Sequence, residues 1–279
     1  MIDTVTIAAV QMEPILMQNK NNLYNIISKI ITASEEGAQL IVFPECALSG
    51  YLFTSLDEAL PYMENVPGPF TNELNKYAKK LNVYIIAGLL EKEGDKHFNT
   101  AVLIGPDGLI GKYRKIHLPF LGIDRFIDKG DREFKVYNTP IGNIGIHICY
   151  DCNFPECARV MSLMGADILA LPTNWPQGRQ RIPEHIVLCR AYENKVNFVA
   201  ANRTGIERNV KFIGLSRILD TSGEIIAGAS DDSEQIVYGS ISLSAARQKQ
   251  VVFKEREFEI NFFKDRRPEF YGEITDERK

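Results

Sequence analysis

Short apolar runs alternate with helix-periodic stretches along this chain, and the alternation stops and then resumes around a block of turn-bounded strands. Residues 5–10, 40–43 and 83–89 read as buried strands. Between them, Leu23, Ile26, Ile27, Ile30 and Ile31 recur on one helix face that Gly37 closes, and residues 70–81 repeat that period. Residues 99–104 and 109–113 then flank Gly105-Pro106-Asp107-Gly108 as a hairpin. Residues 134–137 and 143–148 form two more strands around Thr139-Pro140-Ile141-Gly142. Beyond them the spacing predicts a helix ended by Gly165, a strand at 167–171, a helix at 182–195 and a strand at 197–201. A hairpin of 212–219 with 224–226 and a last strand at 235–243 complete the pattern. No linker, repeat or low-complexity tract divides residues 1–279, so they read as one α/β domain. Buried strands with helices on one side, and hairpins among them, predict two stacked mixed sheets flanked by helices.

Composition narrows the function. A net charge of -4 carries no basic footprint for nucleic acid. No apolar run approaches the roughly 20 residues of a membrane helix. Met1-Ile2-Asp3-Thr4-Val5 lacks the basic and apolar regions of a signal peptide. Five cysteines, few and odd in number, fit free thiols in a reducing compartment, so a cytoplasmic location is expected. The charged tail at 254–279 carries Phe258, Phe262, Phe263, Phe270 and Tyr271, with Phe253 just before it. Such aromatics are not left in water. Two readings stand: the tail folds back on its own domain, or it crosses onto a second subunit.

Three segments carry candidate chemistry. Cys149 follows the apolar strand Ile144-Gly145-Ile146-His147-Ile148, and Asn153-Phe154-Pro155-Glu156 reads as a helix start. A thiol at such a turn lies at the positive end of a helix dipole, which favours the attacking thiolate. Glu45, in Phe43-Pro44-Glu45-Cys46, ends the second strand, where active-site groups of α/β sheets collect; a helix cap is the plainer reading. Lys115 ends the hairpin strand, with Tyr113 and His117 on its face; a basic edge strand is the alternative. Cys149 and Cys152 are formally C-x-x-C, but no second half-site accompanies them, and the four histidines are scattered. A redox or zinc protein stays open as a third reading. Taken together, a Glu, a Lys and a Cys at three strand ends are what thiol attack on an amide-like carbon requires.

These segments resemble the signatures of the carbon–nitrogen hydrolase (nitrilase) superfamily. Phe43-Pro44-Glu45 is similar to its glutamate motif and Tyr113-Arg114-Lys115-Ile116-His117-Leu118 to its lysine motif. Ile148-Cys149-Tyr150-Asp151 with Asn153-Phe154-Pro155-Glu156 is similar to its cysteine motif. The likeness extends to Leu171-Pro172-Thr173-Asn174-Trp175, to Arg190-Ala191-Tyr192-Glu193-Asn194 and to Phe212-Ile213-Gly214-Leu215-Ser216. It implies an αββα sandwich that pairs with a second copy, and an amidase-like activity needing neither cofactor nor metal. It also implies Glu45 as base, Cys149 as nucleophile, and Lys115 with the backbone N–H of Tyr150 as oxyanion donors. Tyr51, Asn174 and Trp175 then face substrate, and Arg190, Glu193 and Asn194 brace the site. One departure stands out. Ile123 lies near the place of the family's second glutamate, with Asp124 beside it. Either Asp124 serves through a local shift, or it is a loop residue paired with Arg125. His147 faces as Cys149 does, as a helper or as a core residue. The expected substrate is a small aliphatic amide or a dicarboxylic acid monoamide. Alternatives are a nitrile, an N-carbamoyl compound, or a weakly active binding protein that keeps the fold. Arg179 and Arg181 form a basic loop or meet a substrate carboxylate.

Overall fold

In the computed structural model, residues 3–276 are described; Met1, Ile2 and the last three residues of the tail lie outside them. The first half supplies β1 (Thr4–Gln11), α1 (Asn19–Glu35), β2 (Leu40–Val42), α2 (Leu56–Ala59), α3 (Pro69–Leu81), β3 (Tyr84–Glu93), β4 (Lys96–Gly105) and β5 (Gly108–Arg114). The second supplies β6 (Val136–Thr139), β7 (Gly142–Ile146), α4 (Pro155–Leu163), β8 (Ile168–Thr173), α5 (Val187–Asn194) and β9 (Asn197–Asn202). Then follow β10 (Ile206–Glu207), β11 (Val210–Lys211), β12 (Arg217–Leu219), β13 (Ile225–Gly228), β14 (Gln235–Ser242), α6 (Leu243–Arg247), β15 (Gln250–Lys254) and β16 (Phe258–Asn261).

Two six-stranded sheets result, ordered β14-β1-β2-β3-β4-β5 and β13-β12-β9-β8-β7-β6. Each holds three parallel strands, β1-β2-β3 and β7-β8-β9, with antiparallel strands beside them. Alternation within β1 explains the continuous apolar run. Val5, Ile7 and Ala9 enter the core between the sheets, while Ala8 and Val10 pack outward with Ile26 and Ile30 of α1. β8 does the same in the second sheet, with Ile168 and Ala170 inward and Leu169 and Leu171 toward Met161 of α4 and Ala191 of α5. The expected αββα sandwich is therefore present. Among the described residues no helix is long and apolar enough to cross a membrane.

Some elements depart from expectation. Residues 212–216 are not strand, because Leu215 takes φ 60 and Ser216 N–H donates to Gln11 Oε1 at 3.1 Å. β3 continues past Leu89 to Glu93 and pairs with β4, an unforeseen hairpin. Residues 243–247 turn into α6, capped where Ser242 Oγ accepts from Ala245 N–H at 3.2 Å. The helix expected at 182–195 begins as a π turn before α5. In the tail, Phe262 meets Tyr192 edge-on at 5.4 Å and Phe263 lies under Arg159 and Lys249, so this part folds back on α4 and α5. Phe253 and Phe258 instead stack on each other at 4.4 Å, exposed on the β15–β16 hairpin, and Phe270 is also exposed.

Candidate active site

Four strand ends meet at one edge of the sandwich. Glu45 and Lys115 follow β2 and β5 of the first sheet; Cys149 and Asn174 follow β7 and β8 of the second. The Glu45 turn lies directly on β3. A Cβ added to Gly88 would stand 2.4 Å from Cys46 N and 2.8 Å from Glu45 Cα, so only glycine allows this approach. Lys115 N–H donates to Asn99 O at 2.9 Å, which prolongs the β4–β5 pairing and carries the lysine inward.

Lys115 is clamped between two carboxylates. Its Nζ lies 2.6 Å from Glu45 Oε1 and 2.5 Å from Asp124 Oδ2, with all three side chains buried. Asn99 Nδ2 bridges the pair, donating to Glu45 Oε1 at 2.7 Å and to Asp124 Oδ1 at 3.0 Å. Tyr51 Oη donates to Asp124 Oδ2 at 2.8 Å. Asp124 thus reaches Lys115 rather than Arg125, whose guanidinium donates to Gly122 O and Phe53 O. Ile123 is buried in an apolar cluster with Tyr51 and Phe53. The shorter aspartate reaches because its loop comes close. Gly122 has φ 52, a Cβ there would lie 2.7 Å from Tyr51 O, and Ile123 N–H donates to that oxygen at 2.9 Å. Burial pulls Lys115 down, but Asp124 and Glu45 more than reverse this and hold it as ammonium. Burial, reinforced by Asp124, raises Glu45 against the pull of Lys115.

Cys149 has φ 44, a left-handed conformation rare for a side chain of this kind. It opens a 3-10 turn, Cys149–Asn153, rather than the α-helix itself, which begins at Pro155. The helix dipole that favours thiolate is opposed here. Burial first, and then Glu45, push the thiol up to about 12, with Lys115 pulling the other way. Asp151 latches the turn. Its Oδ2 accepts from Ile148 N–H at 2.9 Å and Tyr113 Oη at 2.8 Å, and its Oδ1 accepts from His117 N–H at 3.1 Å. His117 Nδ1 lies 2.8 Å from the same Oδ1. The lysine strand therefore grips the cysteine turn from the facing sheet. His117, Asp151 and Cys157 are the one metal-capable group among the described residues. Both Asp151 oxygens already serve protein donors, so the cluster reads as scaffold. Cys149 and Cys152 are free thiols and do not belong to it.

A cavity of about 280 Å³ opens before Cys149, lined by Tyr51, Leu121, Tyr150, Asn174, Trp175 and Arg179 among others. Trp175 N–H donates to Asn202 Oδ1 at 2.8 Å, which fixes the turn after β8. Both side-chain amide atoms of Asn174, Trp175 Nε1 and Glu45 Oε2 are buried without protein partners, and the Thr173 hydroxyl lies beside the Cys149 sulfur. Such groups are uncommon in folded proteins, and each asks for a partner such as water or a ligand. His147 is not in the lining; it is buried edge-on to Phe198 at 5.5 Å. Arg190 donates to Cys152 O at 3.1 Å and pairs with Glu193 at 3.0 Å, and Asn194 Nδ2 donates to Arg190 O at 2.9 Å, a brace behind the turn. Sequence reasoning missed Asn99 and Thr173. Asn99 was visible as a lone amide ahead of the apolar residues 101–104. A larger cavity of about 550 Å³ lies between α4 and the tail and, of the residues of the first cavity and its brace, is lined by Glu193 alone.

The sequence pattern of the family described as "Carbon-nitrogen hydrolase" matches residues 6–250. A nitrilase of Pyrococcus abyssi (strain GE5 / Orsay) is 40% identical over 96% of this chain and 99% of its own. A Homo sapiens omega-amidase is 31% identical over 89% of this chain and 94% of its own. The crystal structure of a carbon–nitrogen hydrolase from Helicobacter pylori G27 superposes with a TM-score of 0.87 and 25% identity, covering 99% of both chains. The chain belongs to the carbon–nitrogen hydrolase family of the nitrilase superfamily.

Proposed function

We propose that this protein hydrolyses the carbon–nitrogen bond of a small linear amide through a thioester on Cys149 and releases ammonia. The observation that carries this reading is the buried Glu45–Lys115 pair, 2.6 Å apart, whose charges both act on the Cys149 sulfur. Glu45 Oε2 has no protein partner, which leaves a carboxylate oxygen for a proton. As the amide enters, the Sγ–H proton passes to Glu45 and the sulfur bonds to the carbonyl carbon. Lys115 Nζ and the backbone N–H of Tyr150 hold the resulting oxyanion; one such donor contributes about 3 kcal/mol. The C–N bond then breaks as Glu45 gives its proton to the nitrogen, which leaves as ammonia. Water next loses a proton to Glu45 and its oxygen bonds to the thioester carbon. The C–S bond breaks, the acid departs, and Glu45 returns its proton to the thiolate.

The name of the Pyrococcus abyssi relative supports a second reading, attack of the same sulfur on a nitrile carbon. The omega-amidase name of the Homo sapiens relative supports the amide. Ammonia from short amides and none from nitriles is the expected result. An N-carbamoyl substrate would release carbon dioxide as well. Cys149→Ala is expected to abolish turnover; residual hydrolysis of the best substrate would sink the scheme. Alkylation of Cys149 by a mild reagent, read by mass spectrometry, separates the enzyme from an inert binding protein. The reading includes a cytoplasmic homodimer of single-domain chains. Exposed Val160 and Leu163 on α4 and Met164 just after it, with Phe253, Phe258 and Phe270 near the C-terminus, support the pairing.

A further inference from the structure

Asp124 reaches Lys115 because its loop lies close, and Tyr51 grips that loop at three points. Tyr51 Oη donates to Asp124 Oδ2 at 2.8 Å and lies 3.1 Å from Leu121 O. The Tyr51 carbonyl accepts from Ile123 N–H at 2.9 Å. Tyr51 itself stands in an irregular segment after Gly50, in neither strand nor helix.

What fixes Tyr51 comes from the other sheet. Glu207 lies in β10, just beyond β9. Its Oε1 accepts from Tyr51 N–H at 2.9 Å and from Leu52 N–H. Its Oε2 accepts from Arg203 Nη1 at 2.5 Å. Arg203 is locked in turn. Its Nη2 donates to Pro14 O at 3.1 Å, its backbone N–H donates to Thr173 O at 3.2 Å, and its guanidinium lies over the Phe212 ring at 4.1 Å. Glu207 and Arg203 are both buried. A Cβ on Gly50 would stand 2.7 Å from Glu207 Oε2, so this glycine makes room for the carboxylate.

A buried ion pair is weak ground for stability, since apolar residues of the same volume often do as well. Two successive backbone donors on one carboxylate oxygen instead define a position. Contacts run unbroken from Arg203 through Glu207, Tyr51 and Asp124 to Lys115. Neither Arg203 nor Glu207 lines the cavity before Cys149.

We propose that Glu207 is a positioning residue of the Cys149 site: anchored by Arg203, it holds Tyr51 and through it keeps Asp124 on Lys115. This rests on the hydrolase reading above and adds to it a residue outside the cavity.

The test starts from Glu207→Asp, which keeps the charge beside Arg203 and draws the carboxylate back by one methylene. kcat on the best amide should fall about tenfold or more, the scale of a misplaced reacting group. Glu45 faces Lys115, Asp124 and Cys149, and of these Asp124 raises it while Lys115 lowers it. As Asp124 withdraws, the acid limb of kcat/KM should move to lower pH. Tyr51→Phe, which leaves the ion pair intact, should move it the same way. In an Asp124→Asn background, Glu207→Asp should cost about twofold at most, because links of one chain are not additive. An unmoved limb, or the full loss again in the double variant, would overturn the proposal. Should Glu207→Asp fail to fold, Glu207→Gln carries the same double-variant comparison, because a carboxamide satisfies Arg203 or the two N–H groups but not both. Alkylation of Cys149 against pH reads the site without turnover. Its midpoint should fall in Glu207→Asp and in Asp124→Asn alike, as Lys115, freed of one carboxylate, acts more strongly on the sulfur. That shift, with no ammonia from any amide, would overturn the hydrolysis reading and uphold this one. Without turnover, an unmoved midpoint would overturn this one.

Discussion

Asn99 Nδ2 donates to Glu45 at 2.7 Å, on the same carboxylate oxygen that Lys115 contacts. That bond favours the charged form of Glu45, and burial opposes it. Asn99→Leu should therefore raise Glu45 further, so the acid limb of kcat/KM moves to higher pH. kcat at neutral pH should fall about tenfold or more, since a misplaced catalytic group commonly costs that much. A pH–rate profile with an unmoved acid limb would show that Asn99 serves packing alone.

Asp124→Asn should move the same limb the other way. The Asp124 charge raises Glu45, so its removal lets Glu45 ionise at lower pH. Lys115 loses its 2.5 Å partner at the same time, and kcat should drop about 10- to 100-fold. Opposite shifts from two neighbours of one carboxylate are the signature to look for. Wild-type kcat in Asp124→Asn would make Asp124 a bystander.

His147 makes stability fall in acid. Burial pushes the folded group down to about 4, from its ordinary 6.5. Between those values the unfolded chain takes a proton that the folded chain refuses. This contribution is full above about 6.5 and is lost as pH falls toward 4, by roughly 3 kcal/mol. Urea titrations of His147→Leu between pH 7 and 4 should show a flatter pH dependence than the wild type. Identical slopes would exclude the effect.

The apolar surface of α4 and the tail predicts self-association. Light scattering should give the mass of two chains, and Leu163→Glu, at a 42%-exposed position, should give one. A wild type that stays monomeric at micromolar concentration would refute the pairing.

Much of the fold was legible because β1, β2 and β8 are buried on both faces, and such strands leave continuous apolar runs. The three motif residues were legible for a related reason: each follows a strand end, and strand ends share an edge. Asp124 stays open at the level of sequence because its reach depends on Gly122 φ and on contact with Tyr51, neither of which has a sequence period. The turn alone does not set the protonation of Cys149, because burial and the neighbouring Glu45 carboxylate oppose a helix dipole that starts only at Pro155. The early end of the strand expected at 212–219 depends on the left-handed Leu215, which no propensity announces.

Glu45 and Lys115 come from one sheet and Cys149 from the other, so the packed interior between them works as a gauge block. In the proposed mechanism, its thickness sets the gap that the Cys149 proton crosses to Glu45. Protein interiors are dense enough that a lost methyl is felt some distance away. Under the proposed mechanism, truncating a core residue such as Leu103 or Ile146 is expected to change the rate without any contact with substrate.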